Sequence, residues 1–126
     1  MAILIDSSVW VALYLDFDSN HEKAKNLFQL LEGKRVYLPY CIIVEVASVL
    51  ARKHSKKQAD DFLEFVIENC DIYIFNDTID EEIRSFLGLP DRISFTDSSI
   101  ICIAKQRGLE VLSFDKQLLQ ILRRSA

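Results

Sequence analysis

The stretch SFTDSSIICIAKQRGLEVLSFDKQL, Ser94 to Leu118, decides the fold. Asp97 opens an apolar helical run (Ile100, Ile101, Ile103, Ala104) that extends to Arg107, and Gly108 is a natural stop for it. EVLSF (110–114) then reads as a short strand. Asp115 follows at once and opens a last helix, KQLLQILRR (116–124). A strand set directly between two helices belongs to the α/β class, whose sheets are parallel.

Working outward, the same alternation recurs. AILI (2–5) is a short apolar run of the kind buried in parallel sheets, and SSVWVALYL (7–15) begins with serines suited to a helix start. Ser19 with Glu22 makes a capping-box pattern for a helix to about Leu31, which Gly33 ends. RVYL (35–38) is a second strand, and Pro39 suits the first turn of a helix that carries Glu45 and runs to about Lys53. Ser55 with Gln58 starts another helix, to about Asn69. DIYIF (71–75) is a third strand, and Thr78 with Glu81 opens a helix through about Leu87. The loop GLPDRISF (88–95) leads back to Asp97. Four strands are clear, and the residues after Asp115 leave room for a short fifth. Sites in such sheets form outside the carboxyl ends of the strands, so the residues just after each strand carry the functional interest.

Composition narrows the class. The chain has 126 residues, half of them apolar and 27% charged, with only three Gly and two Pro: enough for one core and no long flexible linker. There is no apolar run long enough to span a bilayer. MAILIDSSVW lacks a basic leader and is interrupted by Asp6, so a secretory signal is not expected and a cytoplasmic location is. Cys41, Cys70 and Cys102 are odd in number, widely spaced and beside apolar residues; they read as reduced core thiols. His21 and His54 show no metal-ligand spacing, which disfavours zinc. The net charge of −4 is not the usual footprint of a nucleic-acid binder, although ARKHSKK (51–57), GKR (33–35) and LRRS (122–125) are basic clusters.

Four carboxylates stand at telling positions. Asp6 ends the first strand, Asp115 the fourth, Asp97 begins an apolar helix and Glu45 lies inside one. Asp6, Asp97 and Asp115 also suit helix N-caps. Glu45, Ser48 and Arg52 share a helical face, a strip that faces either water or a cleft. Carboxylates gathered at one sheet end would repel and raise one another's pKa values, a penalty that a divalent cation removes. Oxygen donors without His or Cys suit Mg²⁺ or Mn²⁺, ions that activate water and stabilise charge on a phosphodiester. No GxxxxGK[ST] cradle or nucleophile elbow is present. IDSSV supplies neither the acidic pair of a receiver domain nor the DxD of a haloacid-type phosphatase.

ILIDSSVW (3–10), IIVEVASVLAR (42–52) and SFTDSSIICIAKQRGLEVLSFDKQL, in this order, resemble the PIN-domain family, most closely its VapC-like ribonuclease toxins. The resemblance covers nearly the whole chain and implies one PIN-like domain over 1–126. It also implies a Rossmann-like, three-layer α/β/α fold with a parallel sheet of about four to five strands. By position it makes Asp6, Glu45, Asp97 and Asp115 an acidic metal site for Mg²⁺ or Mn²⁺. Asp6 and Asp97 would be the principal ligands, with Ser8 and Ser113 orienting ligands or waters. Ser113 stands where the family often has Thr and keeps the hydroxyl. The function so implied is a metal-dependent endoribonuclease, the toxin of a type II toxin–antitoxin pair. Its partners would be RNA, a small antitoxin and a second copy of the chain as homodimer. Arg52, Lys53 and Lys56 are candidate RNA contacts, and ADDFLEFVIENC (59–70) is a candidate groove or dimer face or else ordinary core. The competing reading is a non-catalytic binding or regulatory module on the same fold.

Overall fold

Ile3, Leu4 and Ile5 are all buried, as a strand covered on both faces requires, and they form β1 (Ile3–Ile5). The computed structural model describes residues 2–124. In it β2 (Val36–Pro39), β3 (Ile72–Phe75) and β4 (Glu110–Leu112) join β1 in one sheet of order β3-β2-β1-β4, every pairing parallel. Seven helices connect and flank the strands: α1 (Ser7–Tyr14), α2 (His21–Leu30), α3 (Tyr40–Lys53), α4 (Lys56–Glu68), α5 (Ile79–Gly88), α6 (Phe95–Arg107) and α7 (Lys116–Arg124). The result is the three-layer α/β/α architecture expected from the alternation, with α1 packed on α2 and α3, α3 on α4, and α6 on both α5 and α7.

The sheet has four strands among the described residues. After Asp115 the buried positions are Leu118 and Ile121, three apart, a helical and not a strand period, and the segment is α7. Local signals succeeded where a side chain caps the helix it precedes. Ser55 Oγ accepts from the Gln58 amide at 3.2 Å, and Gly108 takes the left-handed conformation (φ 64°) that ends α6. They failed at α2, where Asn20, not Ser19, holds the cap position and the turn is tied by Asp18 Oδ1 accepting from the Asn20 amide at 2.8 Å. Thr78 holds the N-cap position of α5, as expected, but its side chain makes no capping bond; its hydroxyl donates to Glu82 Oε2 at 2.8 Å. Pro39 ends β2 and stands one residue before α3, not in its first turn.

Of the three cysteines, Cys102 is buried and Cys41 half-buried, but Cys70 is exposed, so the reading of all three as core thiols holds for two. Cys70 falls in the turn between α4 and β3, outside the helical face that packs inward. That face is Ala59, Phe62 and Val66, at spacings of three and four, while Ile67 stays exposed. Phe62 packs edge-on against Trp10 and Tyr14, with ring centroids 5.4 and 5.8 Å apart, and Trp10 also meets Phe28 at 4.8 Å. The ADDFLEFVIENC segment thus contributes to the core through its inner face. No helix among the described residues is long and apolar enough to cross a membrane.

Phe62 is fully buried, so Phe62→Ala should leave a cavity and cost about 3–5 kcal/mol of stability. Chemical denaturation of the two proteins measures this; a loss below about 1 kcal/mol would mean the aromatic cluster is not the core contact described.

Candidate active site

β1 and β4 run side by side with Ile5 opposite Leu112, so the residues that leave the two strands, Asp6 and Ser113, emerge together. The Asp6 amide donates to the Leu112 carbonyl at 2.9 Å. The chain order also makes this place special. From β1 the chain steps outward to β2 and β3, then returns to place β4 on the other side of β1. Strand order reverses here, where open α/β sheets leave a crevice.

Asp6 is 2% exposed. It holds the backbone N-cap position of α1, yet its side chain makes no capping bond. Its carboxylate is held by hydroxyls instead: Ser8 Oγ donates to Oδ2 at 2.8 Å and Ser113 Oγ donates to the same oxygen at 2.7 Å. Each hydroxyl is itself fixed by a backbone donor. The Phe114 amide donates to Ser8 Oγ at 3.0 Å and the Asp115 amide to Ser113 Oγ at 2.9 Å. A hydroxyl that accepts from the backbone has its one proton free to point at the carboxylate. Ser7 Oγ donates to Glu45 Oε1 and lies 3.4 Å from Asp6 Oδ1. It has a single proton, so it ties one carboxylate at a time and keeps the two as neighbours.

Asp97 is relieved of capping by Ser94, whose Oγ accepts from the Asp97 amide at 3.0 Å. Its carboxylate is pushed up to about 6 by burial first, then by the charges of Asp6, Asp115 and Glu45. Asp115 does cap its helix: Oδ1 accepts from the Gln117 and Leu118 amides at 2.9 and 3.1 Å, leaving Oδ2 uncommitted. All four carboxylates line one cleft of about 480 Å³. Among the described residues no three Asp, Glu, His or Cys side chains stand so as to hold one ion together. Like charges favour that spread. The donor set is nonetheless all oxygen, which fits a hard divalent cation. A hollow of the same volume, walled by Trp10, Phe28 and Phe65, gathers no such set.

The structure adds residues to the site. Ser7 and Ser94 line the cleft, as do Asp18 and Asn20 from the turn before α2. Ser7 was visible only as the neighbour of Ser8, and Asp18 carries no motif. The strip Glu45–Ser48–Arg52 is divided: Glu45 and Val49 line the cleft, whereas Ser48 and Arg52 are exposed away from its lining. One turn along α3 from Glu45, the helix presents Val49 to the cleft and swings Ser48 and Arg52 outward. Lys53 and Lys56 are likewise exposed, and Lys56 pairs with Asp60 at 2.6 Å.

The family model of the PIN domain matches residues 3–123. Among solved structures, Mycobacterium tuberculosis VapC20, a sarcin-ricin loop cleaving toxin, is similar with a TM-score of 0.83 at 20% identity, over 94% of each chain. VapBC2 from Rickettsia felis, bound to a DNA fragment from their promoter, is similar with a TM-score of 0.67 at 13% identity, over 96% of this chain and 93% of that one. At these identities the likeness is one of fold. No curated protein matches the sequence.

A carboxyl pushed up to about 6 has a folded-state value above its ordinary 3.8. The stability it contributes is complete below the ordinary value and is lost as pH rises through the folded one. Asp97→Asn should therefore raise the melting temperature at pH 7 in chelator, with the gain vanishing near pH 3.5. Thermal denaturation at the two pH values tests this, and equal melting temperatures at pH 7 would mean that burial and the neighbouring charges do not raise Asp97.

Proposed function

The chain belongs to the PIN domain family, and from that premise we propose that it is a metal-dependent endoribonuclease, the toxin of a type II toxin–antitoxin pair. One observation supports the chemistry above others: four carboxylates share one cleft at the carboxyl ends of β1 and β4, where burial first and then the charges of the other three push Asp97 up to about 6. Asp6 and Asp97 would be the principal ligands of Mg²⁺ or Mn²⁺, and Glu45 and Asp115 would complete the set, Asp115 through the oxygen its cap leaves uncommitted. Such an ion would supply charge neutralisation at the phosphodiester and a water of lowered pKa. Ser8 and Ser113 hold Asp6 in place, and Ser7 does the same for Glu45. In the hydrolysis, a water oxygen bonds to phosphorus as the bond to one ribose oxygen breaks. A cleft carboxylate positions that water and takes its proton, and the leaving oxygen gains one.

Exposed Arg52, Lys53 and Lys56 would meet RNA as it nears this acidic cleft. VapC20's description as a toxin that cleaves the sarcin-ricin loop supports an RNA substrate, and the VapBC2 structure supports an antitoxin partner. Ile83 and Leu87 leave apolar surface exposed on α5, which suits a homodimer or the antitoxin. The place of action would be the cytoplasm. The alternative, a non-catalytic module, draws on the carboxylates not closing on a single point; it requires that Mg²⁺ and Mn²⁺ leave the melting temperature unchanged.

Asp6→Asn keeps the size of the side chain and removes its charge. Total RNA incubated with Mg²⁺ or Mn²⁺ should be cut by the wild-type protein, with chelator abolishing the cut. The variant should be about a hundredfold slower or worse while its circular dichroism is unchanged. Undiminished cleavage by the variant, or by wild type in excess chelator, would sink the proposal.

A further inference from the structure

The carboxyl ends of the other two strands, β2 and β3, open onto a separate small pocket of about 180 Å³. Tyr40, Phe75 and Phe95 wall it, and Glu82, Cys41 and Asn76 supply its polar groups. Glu82 is only 8% exposed. Among the described residues the Thr78 hydroxyl, at 2.8 Å, is the hydrogen-bond donor to its carboxylate, on Oε2. A carboxylate this deep with one neutral donor and no cationic partner has acceptor capacity to spare. Burial and the adjacent Glu82 charge push the Cys41 thiol up to about 12, so it lines the pocket as a neutral S–H group. Tyr40 and Phe95 remain 53% and 46% exposed, which leaves aromatic faces free at the mouth.

The pocket adjoins the acidic cleft. Cys41 lies one helical turn before Glu45 on the same face of α3, and Phe95 follows Ser94, which lines the cleft. A chain whose phosphodiester lies in the cleft can therefore lay a neighbouring base into the pocket. Unstacked RNA bases are held in this way, between aromatic side chains and with polar groups on the Watson–Crick edge. The two oxygens of a carboxylate match a base with two adjacent N–H donors. Guanine offers N1–H and N2–H; adenine and cytosine place an acceptor beside their amino group, and uracil flanks its one N–H with carbonyls.

We propose that this pocket is a base-recognition subsite in which Glu82 accepts from the N1 and N2 hydrogens of a guanine next to the cleaved bond. This rests on the ribonuclease reading. The test is a random-sequence RNA pool cut by wild type and Glu82→Gln, with cut sites mapped by sequencing. Wild type should show guanine enriched at one fixed position beside the cut. Inosine, which lacks the 2-amino group, should lower kcat/KM about tenfold when placed there. Glu82→Gln should lose the enrichment and reduce the inosine penalty to about twofold or less. Tyr40→Ala, at an exposed wall, should raise KM more than it lowers kcat, and it decides the matter if Glu82→Gln melts below the assay temperature. An unchanged cut pattern in a folded Glu82→Gln, or an unchanged KM in Tyr40→Ala, overturns the assignment. So does an unchanged pattern joined to weaker binding of an arginine-bearing peptide, which would make the pocket a cation site. If wild type leaves the pool intact, the ribonuclease reading fails. Calorimetry with guanosine and inosine monophosphates then tests the pocket alone, and equal affinities overturn it.

Discussion

A carboxylate at 2% exposure, Asp6 at the end of the inner strand β1, is the constraint on which the rest depends. Such a group is costly to bury without donors, and the donors here come from two separate elements. Ser8 arrives from the first turn of α1 and Ser113 from the end of β4, and both spend their only proton on Asp6 Oδ2. That arrangement needs β1 and β4 to be adjacent, parallel and in the register that puts Ile5 opposite Leu112. A slip of one residue would turn Ser113 to the opposite face and leave Asp6 short of a donor. The same register brings Asp115 to the cleft. The site and the strand pairing therefore specify each other.

This dependence explains why the fold was easier to read than the site. Helix and strand alternation is a local property, and the chain obeys it from β1 to α7. Asp6 and Asp115 were legible as a pair because strand ends in a parallel sheet share one edge. Glu45 and Asp97 joined them only through the family resemblance, because their approach depends on how α3 and α6 pack, which no spacing reveals. Ser7 and Ser94 were passed over for a related reason. Ser94 does ordinary capping work that only afterwards proves to release Asp97 for the cleft. Ser7 gains its role only when Glu45 arrives from 38 residues away. Asp115 resolves the choice between cap and cleft by dividing the labour between its oxygens: Oδ1 takes the α7 amides and Oδ2 is left over.

The carboxyl edge of the sheet is in this way divided by chemistry. Its β1–β4 half is crowded with negative charge, and its β2–β3 half is aromatic with one buried carboxylate. α3 crosses the boundary, carrying Cys41 on one side and Glu45 a turn later on the other. The absence of a loop between β2 and α3 fixes that crossing, since Pro39 ends the strand and Tyr40 already begins the helix. Under the ribonuclease function proposed above, the division has a functional logic. Phosphodiester chemistry in an all-oxygen site sees the backbone, which is alike at every nucleotide, and contacts to phosphate position a nucleic acid without reading it. Selectivity must then come from groups that touch a base. The cleft offers few of these: Asp6, Glu45 and the hydroxyls of Ser7, Ser8 and Ser113 are committed to one another, and the oxygen left over on Asp115 belongs to the proposed ion. The aromatic half of the edge, one turn of α3 away, is where this fold has uncommitted polar atoms beside flat hydrophobic walls, and so where a preference among bases has the physical means to arise.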